Sequence, residues 1–116
     1  MKPIIAITAG DINGVGYEIL LKGIADPHIC EICKPIVYGN AKIAKQHALT
    51  LGEEYHNLSF NIIQSPKQAK DGRLNLIPCY SDNTPVNIGQ STKEAGQAAL
   101  ASLKRACQDL KNGEVH

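Results

Sequence analysis

Apolar residues along this chain fall in short runs, separated by breaks rich in Gly, Pro, Asn and Asp, and the runs alternate between two kinds of pattern. Residues 2–8 hold the uninterrupted run Ile4-Ile5-Ala6-Ile7, which predicts a buried strand. Residues 9–13 are a loop. Residues 14–25 predict a helix, with Ile19, Leu20, Leu21 and Ile24 on or near one face. Asn13 is its predicted N-cap, since its side-chain oxygen can accept from a free N–H of the first turn. Asp26-Pro27 breaks that helix. Residues 35–38 predict a second strand closed by Gly39-Asn40. Residues 41–51 predict a helix with Ile43, Ala44, Ala48 and Leu51 on its apolar side. Gly52 ends it, because glycine adopts the left-handed conformation without steric cost.

Residues 58–63 predict a third strand. Ser65-Pro66 opens a polar turn or short helix, Asp71-Gly72 is a turn signal, and residues 73–79 predict a fourth strand. The last element is a long helix. Ser91-Thr92-Lys93-Glu94 has the form of a capping box with Ser91 as the cap. Behind it Ala95, Ala99, Leu103, Ala106 and Leu110 recur at helical spacing and predict the buried stripe, and Gly113 terminates the helix. Strands alternating with helices predict an α/β fold with a mostly parallel sheet. No internal repeat, low-complexity tract or linker divides the chain, and 116 residues is within the usual size of one domain, about 100–200 residues.

Composition narrows the picture. Charged residues are 20% and hydrophobic residues 43%, which is globular. Aromatic residues are 4% with no Trp, so the core is expected to be aliphatic. A net charge of +1 lacks the electrostatic footprint of a dedicated nucleic-acid binder, and no apolar run approaches the length of a membrane span, about 20 residues. The N-terminal apolar run is too short for a signal-peptide core, so the chain is expected to be cytoplasmic. Cys30, Cys33, Cys79 and Cys107 are then expected to be free thiols.

In a parallel α/β sheet, ligands bind beyond the carboxyl ends of the strands, so the loop after the first strand is the first candidate for chemistry. It reads Thr8-Ala9-Gly10-Asp11-Ile12-Asn13-Gly14-Val15-Gly16-Tyr17-Glu18. A glycine-rich turn between strand and helix exposes backbone N–H groups and the positive end of a helix dipole, which suits an anion. The spacing is neither the dinucleotide fingerprint nor a Walker A loop. A tight packing turn and a phosphate- or cofactor-binding loop are equally consistent with it. Cys30-Glu31-Ile32-Cys33 has the spacing of a redox pair or half a zinc site, but it falls at the end of a helical stretch and reads as two incidental thiols. His28, His47, His56 and His116 have no ligand spacing and read as surface or capping residues.

The pattern Thr8-x-Gly10-Asp11-x-x-Gly14-x-Gly16-x-Glu18, directly after an N-terminal apolar strand, resembles the opening of the 4-hydroxythreonine-4-phosphate dehydrogenase family of pyridoxal phosphate biosynthesis. Pro35-Ile36-Val37-Tyr38-Gly39-Asn40 is similar to the family's second strand and turn. Arg73-Leu74-Asn75-Leu76 resembles a later strand, and Glu94-Ala95-Gly96-Gln97-Ala98-Ala99-Leu100 a later helix. Ile12 and Tyr17 stand where many members have Pro, and Asn13 where many have Ala, which suggests a subgroup.

The resemblance implies a three-layer, Rossmann-like α/β architecture shared with isocitrate and isopropylmalate dehydrogenases, of which residues 1–116 are an N-terminal portion. It implies NAD-dependent oxidation of 4-hydroxy-L-threonine 4-phosphate, decarboxylation of the 2-amino-3-oxo acid, and a divalent metal (zinc, magnesium or cobalt) held by histidines as a Lewis acid. It also implies a homodimer, no nucleic-acid or membrane partner, and substrate relatives that are other four-carbon 4-phosphate acids. The family's lysine motif and metal-binding histidines lie further along, and none of the four histidines here matches them. No catalytic or metal residue is therefore expected in this chain, and the chain alone is expected to be inactive. The implied site residues are Thr8, Gly10, Asp11, Asn13, Gly14, Gly16 and Glu18, as one wall of the cleft. Two other readings remain open: a non-catalytic phosphate- or nucleotide-binding α/β module, and a thiol redox or metal protein using Cys30 and Cys33.

Overall fold

The computed structural model describes residues 2–116. The elements follow one another as β1 (Ile4–Thr8), α1 (Gly16–Ile24), α2 (Ile29–Ile32), β2 (Lys34–Gly39), α3 (Ala41–Leu51), β3 (Asn61–Ile62), β4 (Asn75–Pro78) and α4 (Lys93–Lys111), with two 3₁₀ turns at Glu53–Tyr55 and Pro66–Gln68. The four strands form one sheet in the order β1-β2-β4-β3, and every pairing is parallel. Ile5 lies opposite Pro35 and Ile7 opposite Val37; Val37 in turn lies opposite Leu76.

Side chains alternate across the central strands, and the alternation makes three layers. Val37 and Leu76 face α1 and α3, joining Leu20, Leu21, Ile24, Ile43, Ala44 and Ala48. Ile36, Tyr38 and Ile77 face the other way, with Ala106 of α4 and Val115. The predicted α/β class with a parallel sheet is the observed one.

Several local expectations are corrected. Residues 4–7 are only half-buried, because β1 is an edge strand and not a central one. His116 covers part of that edge: its N–H donates to the Ile4 carbonyl at 2.7 Å and its carbonyl accepts from the Ala6 N–H at 3.1 Å, the bonding of a parallel partner. The third strand shrinks to Asn61–Ile62 and the fourth to Asn75–Pro78. The first helix begins at Gly16, not residue 14; residues 12–15 form a turn instead, with the Gly14 N–H donating to the Asp11 carbonyl at 3.1 Å. Ile19, expected on its inner face, is exposed. The cap of α4 is Thr92, not Ser91; its hydroxyl accepts from the Ala95 N–H at 3.1 Å. The buried stripe of α4 is Ala95, Ala98, Ser102, Ala106 and Asp109, while Leu103 and Leu110 point outward.

Candidate functional site

The carboxyl ends of β1, β2 and β4 carry three segments that meet: the loop 9–15, the Gly39-Asn40 entry to α3, and the long loop 79–92. Within the first loop, Gly10 has φ +71°, a conformation in which a side chain would be strained. The Asn13 N–H bonds the Asp11 carboxylate at 2.9 Å, and the turn closes on Gly14. Gly16 is required by close approach: a Cβ there would collide with the Ala9 carbonyl. Thr8, Gly10 and Asp11 are exposed at the sheet edge, and Gly14 is half-buried. Glu18 lies in the first turn of α1 and pairs with Lys22 at 3.0 Å. No side chain caps α1, so its first N–H groups remain free of a side-chain acceptor.

Asn13 does not cap α1. It is buried, and its amide ties the loop to a segment far along the chain. Nδ2 donates to the Gln90 carbonyl at 3.0 Å and to Thr92 Oγ1 at 3.2 Å, and Oδ1 accepts from the Asn87 N–H at 2.7 Å. Its own carbonyl accepts from the Gly89 N–H at 2.8 Å. One asparagine thus fixes loop 79–92 against the glycine-rich loop and reaches the cap of α4.

A second set of polar contacts lies beneath. Asn40 caps α3, accepting from the Ile43 N–H at 3.1 Å, and its amide donates to the Tyr80 carbonyl at 3.0 Å and the Asp82 carboxylate at 2.6 Å. The Asn40 N–H donates to the Tyr17 hydroxyl at 3.1 Å, and Tyr17 and Tyr80 share a short hydroxyl–hydroxyl bond. Gly39 leaves room for this, since a Cβ there would meet the Tyr17 hydroxyl. Both phenols are protonated at neutral pH, as ordinary tyrosines are, and burial pushes their pKa values further up, so they act as neutral hydrogen-bonding groups well into the alkaline range.

His47 is the principal correction to the sequence reading. It is not a surface residue. It is 7% exposed, stacks on Tyr17 with ring centroids 5.1 Å apart, and bonds the Ile12 carbonyl through Nε2 at 2.8 Å. Its register was legible in outline, because His47 continues the inward stripe Ile43, Ala44, Ala48 of α3. Tyr17, Tyr80 and Asn40 had no such signal as a group, since their partners are brought together only by the sheet.

Two cavities flank these loops. The larger, about 580 Å³, is bounded by Asn13, Val15, Glu18, His47, Leu51 and Ile88, among others. The other, about 400 Å³, lies between Tyr80–Pro85 and the Glu94, Gln97 and Ala98 positions of α4. No group of three or more His, Cys, Asp or Glu side chains able to hold a metal occurs among the described residues. Cys30 lies in α2 and Cys33 caps its end, buried, donating to the Ile29 carbonyl at 3.3 Å. Burial raises the Cys33 thiol above its usual value, which opposes the low pKa a redox nucleophile needs. The remaining histidines sit apart: His28 precedes α2 without a side-chain capping bond and bonds Asp26, and His28, His56 and His116 are all exposed.

Comparison with known proteins places this geometry. A family model described as pyridoxal phosphate biosynthetic protein PdxA matches residues 31–116. The 4-hydroxythreonine-4-phosphate dehydrogenase of Bacteroides thetaiotaomicron is 40% identical over 111 residues, covering 96% of this chain and 30% of that protein. A Clostridium botulinum protein named "Putative D-threonate 4-phosphate dehydrogenase" is 36% identical, covering 98% of this chain and 34% of its own. The crystal structure of a 4-hydroxythreonine-4-phosphate dehydrogenase from Burkholderia phymatum superposes with a TM-score of 0.78 at 31% identity, covering 99% of this chain and 34% of that one. The chain spans about a third of the length of these relatives.

Proposed function

The chain belongs to the pyridoxal phosphate biosynthetic protein PdxA family, and from that premise we propose that it is the amino-terminal part of an NAD-dependent dehydrogenase acting on 4-hydroxy-L-threonine 4-phosphate. The substrate's 3-hydroxyl is oxidised and the resulting 2-amino-3-oxo acid loses carbon dioxide. NAD, when bound, supplies the hydride acceptor. Thr8, Gly10, Asp11, Asn13, Gly14, Gly16 and Glu18 form one wall of the cleft. The observation that carries this reading is the position of that loop: it caps the carboxyl end of β1, in a chain whose relatives bear the dehydrogenase name. The uncapped first turn of α1 offers N–H donors and a favourable dipole to an anionic group of substrate or cofactor. Asn13 and Gly16 hold the loop in shape, and Asp11 takes the Asn13 N–H without closing the α1 terminus.

The divalent ion implied by the family does not fit the residues of this chain, because the described residues assemble no metal-ligand cluster. The reading therefore assigns this chain no metal step and no catalytic residue, and expects it to be inactive alone. It includes a homodimeric, cytoplasmic enzyme. No helix among the described residues is long and apolar enough to cross a membrane. A second substrate, D-threonate 4-phosphate, is supported by the name of the Clostridium relative.

The test has two parts. In nuclear magnetic resonance titrations of the isotopically labelled chain, NAD or the phosphorylated substrate is expected to shift the amides of residues 8–18; saturating ligand without such shifts overturns the assignment of the loop. In a spectrophotometric assay with zinc, magnesium or cobalt, this chain alone is expected to form no NADH. Turnover would overturn the statement that catalysis needs further residues.

A further inference from the structure

Asparagine followed by glycine occurs twice in the chain, at Asn13-Gly14 and at Asn112-Gly113. Such a pair is chemically labile, because glycine presents its backbone nitrogen to the preceding side-chain amide with no side chain of its own to obstruct the approach. The fold treats the two pairs differently. Asn13 is 1% exposed, and its amide is held at both ends, Nδ2 by the Gln90 carbonyl and Thr92 Oγ1, and Oδ1 by the Asn87 N–H. Attack on its Cγ by the Gly14 nitrogen requires that amide to turn, which breaks all three bonds.

Asn112 and Gly113 are exposed at the end of α4, and no side-chain hydrogen bond holds the Asn112 amide among the described residues. What restrains this pair is the helix end. The Gly113 N–H donates to the Leu110 carbonyl at 3.0 Å, the Glu114 N–H donates to the Asp109 carbonyl at 2.9 Å, and Gly113 has φ +74°, together a Schellman turn. Bonds in the last turn of an exposed helix open at little cost, so the Gly113 nitrogen becomes available without unfolding of the core. The segment that follows is short and anchored. Glu114 alone separates Gly113 from Val115, which is 2% exposed in the cluster with Ile36, Tyr38 and Ile77, and His116 bonds Ile4 and Ala6 on the edge of β1.

We infer that Asn112 is a site of spontaneous modification, and that its conversion to isoaspartate releases residues 115–116 from the edge of β1. The Gly113 nitrogen bonds to Asn112 Cγ, the Cγ–Nδ2 bond breaks, and the Gly113 amide proton passes through solvent to the departing group, which leaves as ammonia. The product is a cyclic imide, which water then opens. Addition of water at Cγ breaks the Cγ–N bond and gives aspartate. Addition at the main-chain carbonyl carbon of residue 112 breaks its bond to the Gly113 nitrogen and gives isoaspartate. The net change is amide plus water to carboxylate plus ammonium, with no oxidant and no enzyme. Isoaspartate carries the main chain through Cβ and Cγ and so lengthens it by a carbon. It also sets a carboxylate at the carboxyl end of α4, where the helix dipole disfavours negative charge. Both changes act on the turn that delivers Val115 to the core. Nothing in this chemistry depends on the dehydrogenase reading.

The test is incubation of the whole chain at mildly alkaline pH, followed by tandem mass spectrometry of its peptides. In the folded chain Asn112 is expected to deamidate, and Asn13 to do so at least about tenfold more slowly, because reaction there waits on an opening of the packed loops. In the urea-unfolded chain the two are expected to react at comparable rates, since neither amide is then held. No reaction at Asn112, or equal rates at the two sites in the folded chain, overturns the assignment. So does a difference that survives in urea, which would place its cause in the flanking sequence and not in the fold. The isoaspartate form is then separated by chromatography and its amide hydrogen exchange followed by nuclear magnetic resonance. The Ala6 and His116 N–H groups are expected to exchange at least about tenfold faster than in the unreacted chain. Asn112→Gln, whose longer side chain closes the imide poorly, is expected to show neither deamidation at this position nor faster exchange. Asn112→Asp, freshly prepared, carries the charge without the longer main chain and is expected to keep the exchange of the unreacted chain. Unchanged exchange in the isoaspartate form, or equal acceleration in Asn112→Asp, overturns the release of the edge by the lengthened backbone.

Discussion

On one face of the sheet, α1 and α3 bring Leu20, Leu21, Ile24 and Ile43 against Val37 and Leu76. On the other, α4 brings Ser102, Ala106 and Asp109 toward Ile36, Tyr38 and Ile77. The first face is closed by interlocking aliphatic side chains. The second is closed by small residues, which let a long helix lie near the strands, and by a polar clamp. The Tyr38 hydroxyl donates to Asp109 at 2.7 Å, and Arg105 bonds the same carboxylate at 3.1 Å while its guanidinium also reaches the Gln64 carbonyl at 2.6 Å. Helical spacing of apolar residues therefore means different things in the two layers. In α3 it marks the inner face. In α4 the leucines at positions 100, 103 and 110 lie outside, and the inner face is built from residues a hydropathy pattern ranks as weak.

The largest expected effect lies in the aliphatic layer. Ile43 is fully buried between α3 and the sheet, so Ile43→Ala is expected to cost about 2–5 kcal/mol in lost transfer and cavity terms. Urea unfolding measures it as a lower midpoint. A cost below about 1 kcal/mol would mean that this layer is not the tightly packed one.

The clamp should come next. Tyr38→Phe removes the hydroxyl and leaves the Asp109 carboxylate with Arg105 alone; the expected cost is about 1–3 kcal/mol. If the variant is as stable as the parent, the clamp does not hold α4 and its small-residue packing is sufficient.

Alkaline pH probes both layers through a different coordinate. Burial raises the pKa of Tyr38, with the Asp109 bond adding to it, and burial raises those of Tyr17 and Tyr80. A phenol that keeps its proton when folded and loses it when unfolded contributes stability that is complete below the ordinary value, about pH 10, and declines as pH rises beyond it. Unfolding midpoints are therefore expected to fall above about pH 10, and to fall less steeply in Tyr38→Phe. An unchanged slope in that variant would place the alkaline sensitivity wholly at Tyr17 and Tyr80.

The smallest effect is expected at the outer leucines. Leu103 is 51% exposed, so Leu103→Ala should change stability by no more than about 0.5 kcal/mol. A cost matching that of Ile43→Ala would show that the outer face of α4 is covered in solution, and would erase the contrast between the layers.

Much of the fold was legible because it depends on local pattern. The runs at 35–38 and 41–51 became β2 and α3 almost to the residue, and Gly52 ends α3 as expected. The glycine-rich loop was also legible as a strand-to-helix turn. What its residues do was not. Asn13 has the chemistry of a helix cap, and local reasoning assigns it that role, yet its partners are Asn87 and Thr92, 74 and 79 residues away. His47 carries a polar side chain on an otherwise apolar stripe, and only the docking of α3 on α1 and the Ile12 carbonyl turns it inward.

By itself, then, the sequence determined the alternation of strands and helices, the parallel α/β class and the site of the first loop, since each follows from periodicity and turn chemistry within a few residues. The tertiary structure decided the strand order that puts β1 at the edge and the face that α4 buries. It also decided the polar contacts that join loops 9–15 and 79–92 above the sheet. Those depend on side chains distant in sequence competing for the same buried hydrogen bonds and the same strand surface, and that competition is settled only when the layers pack.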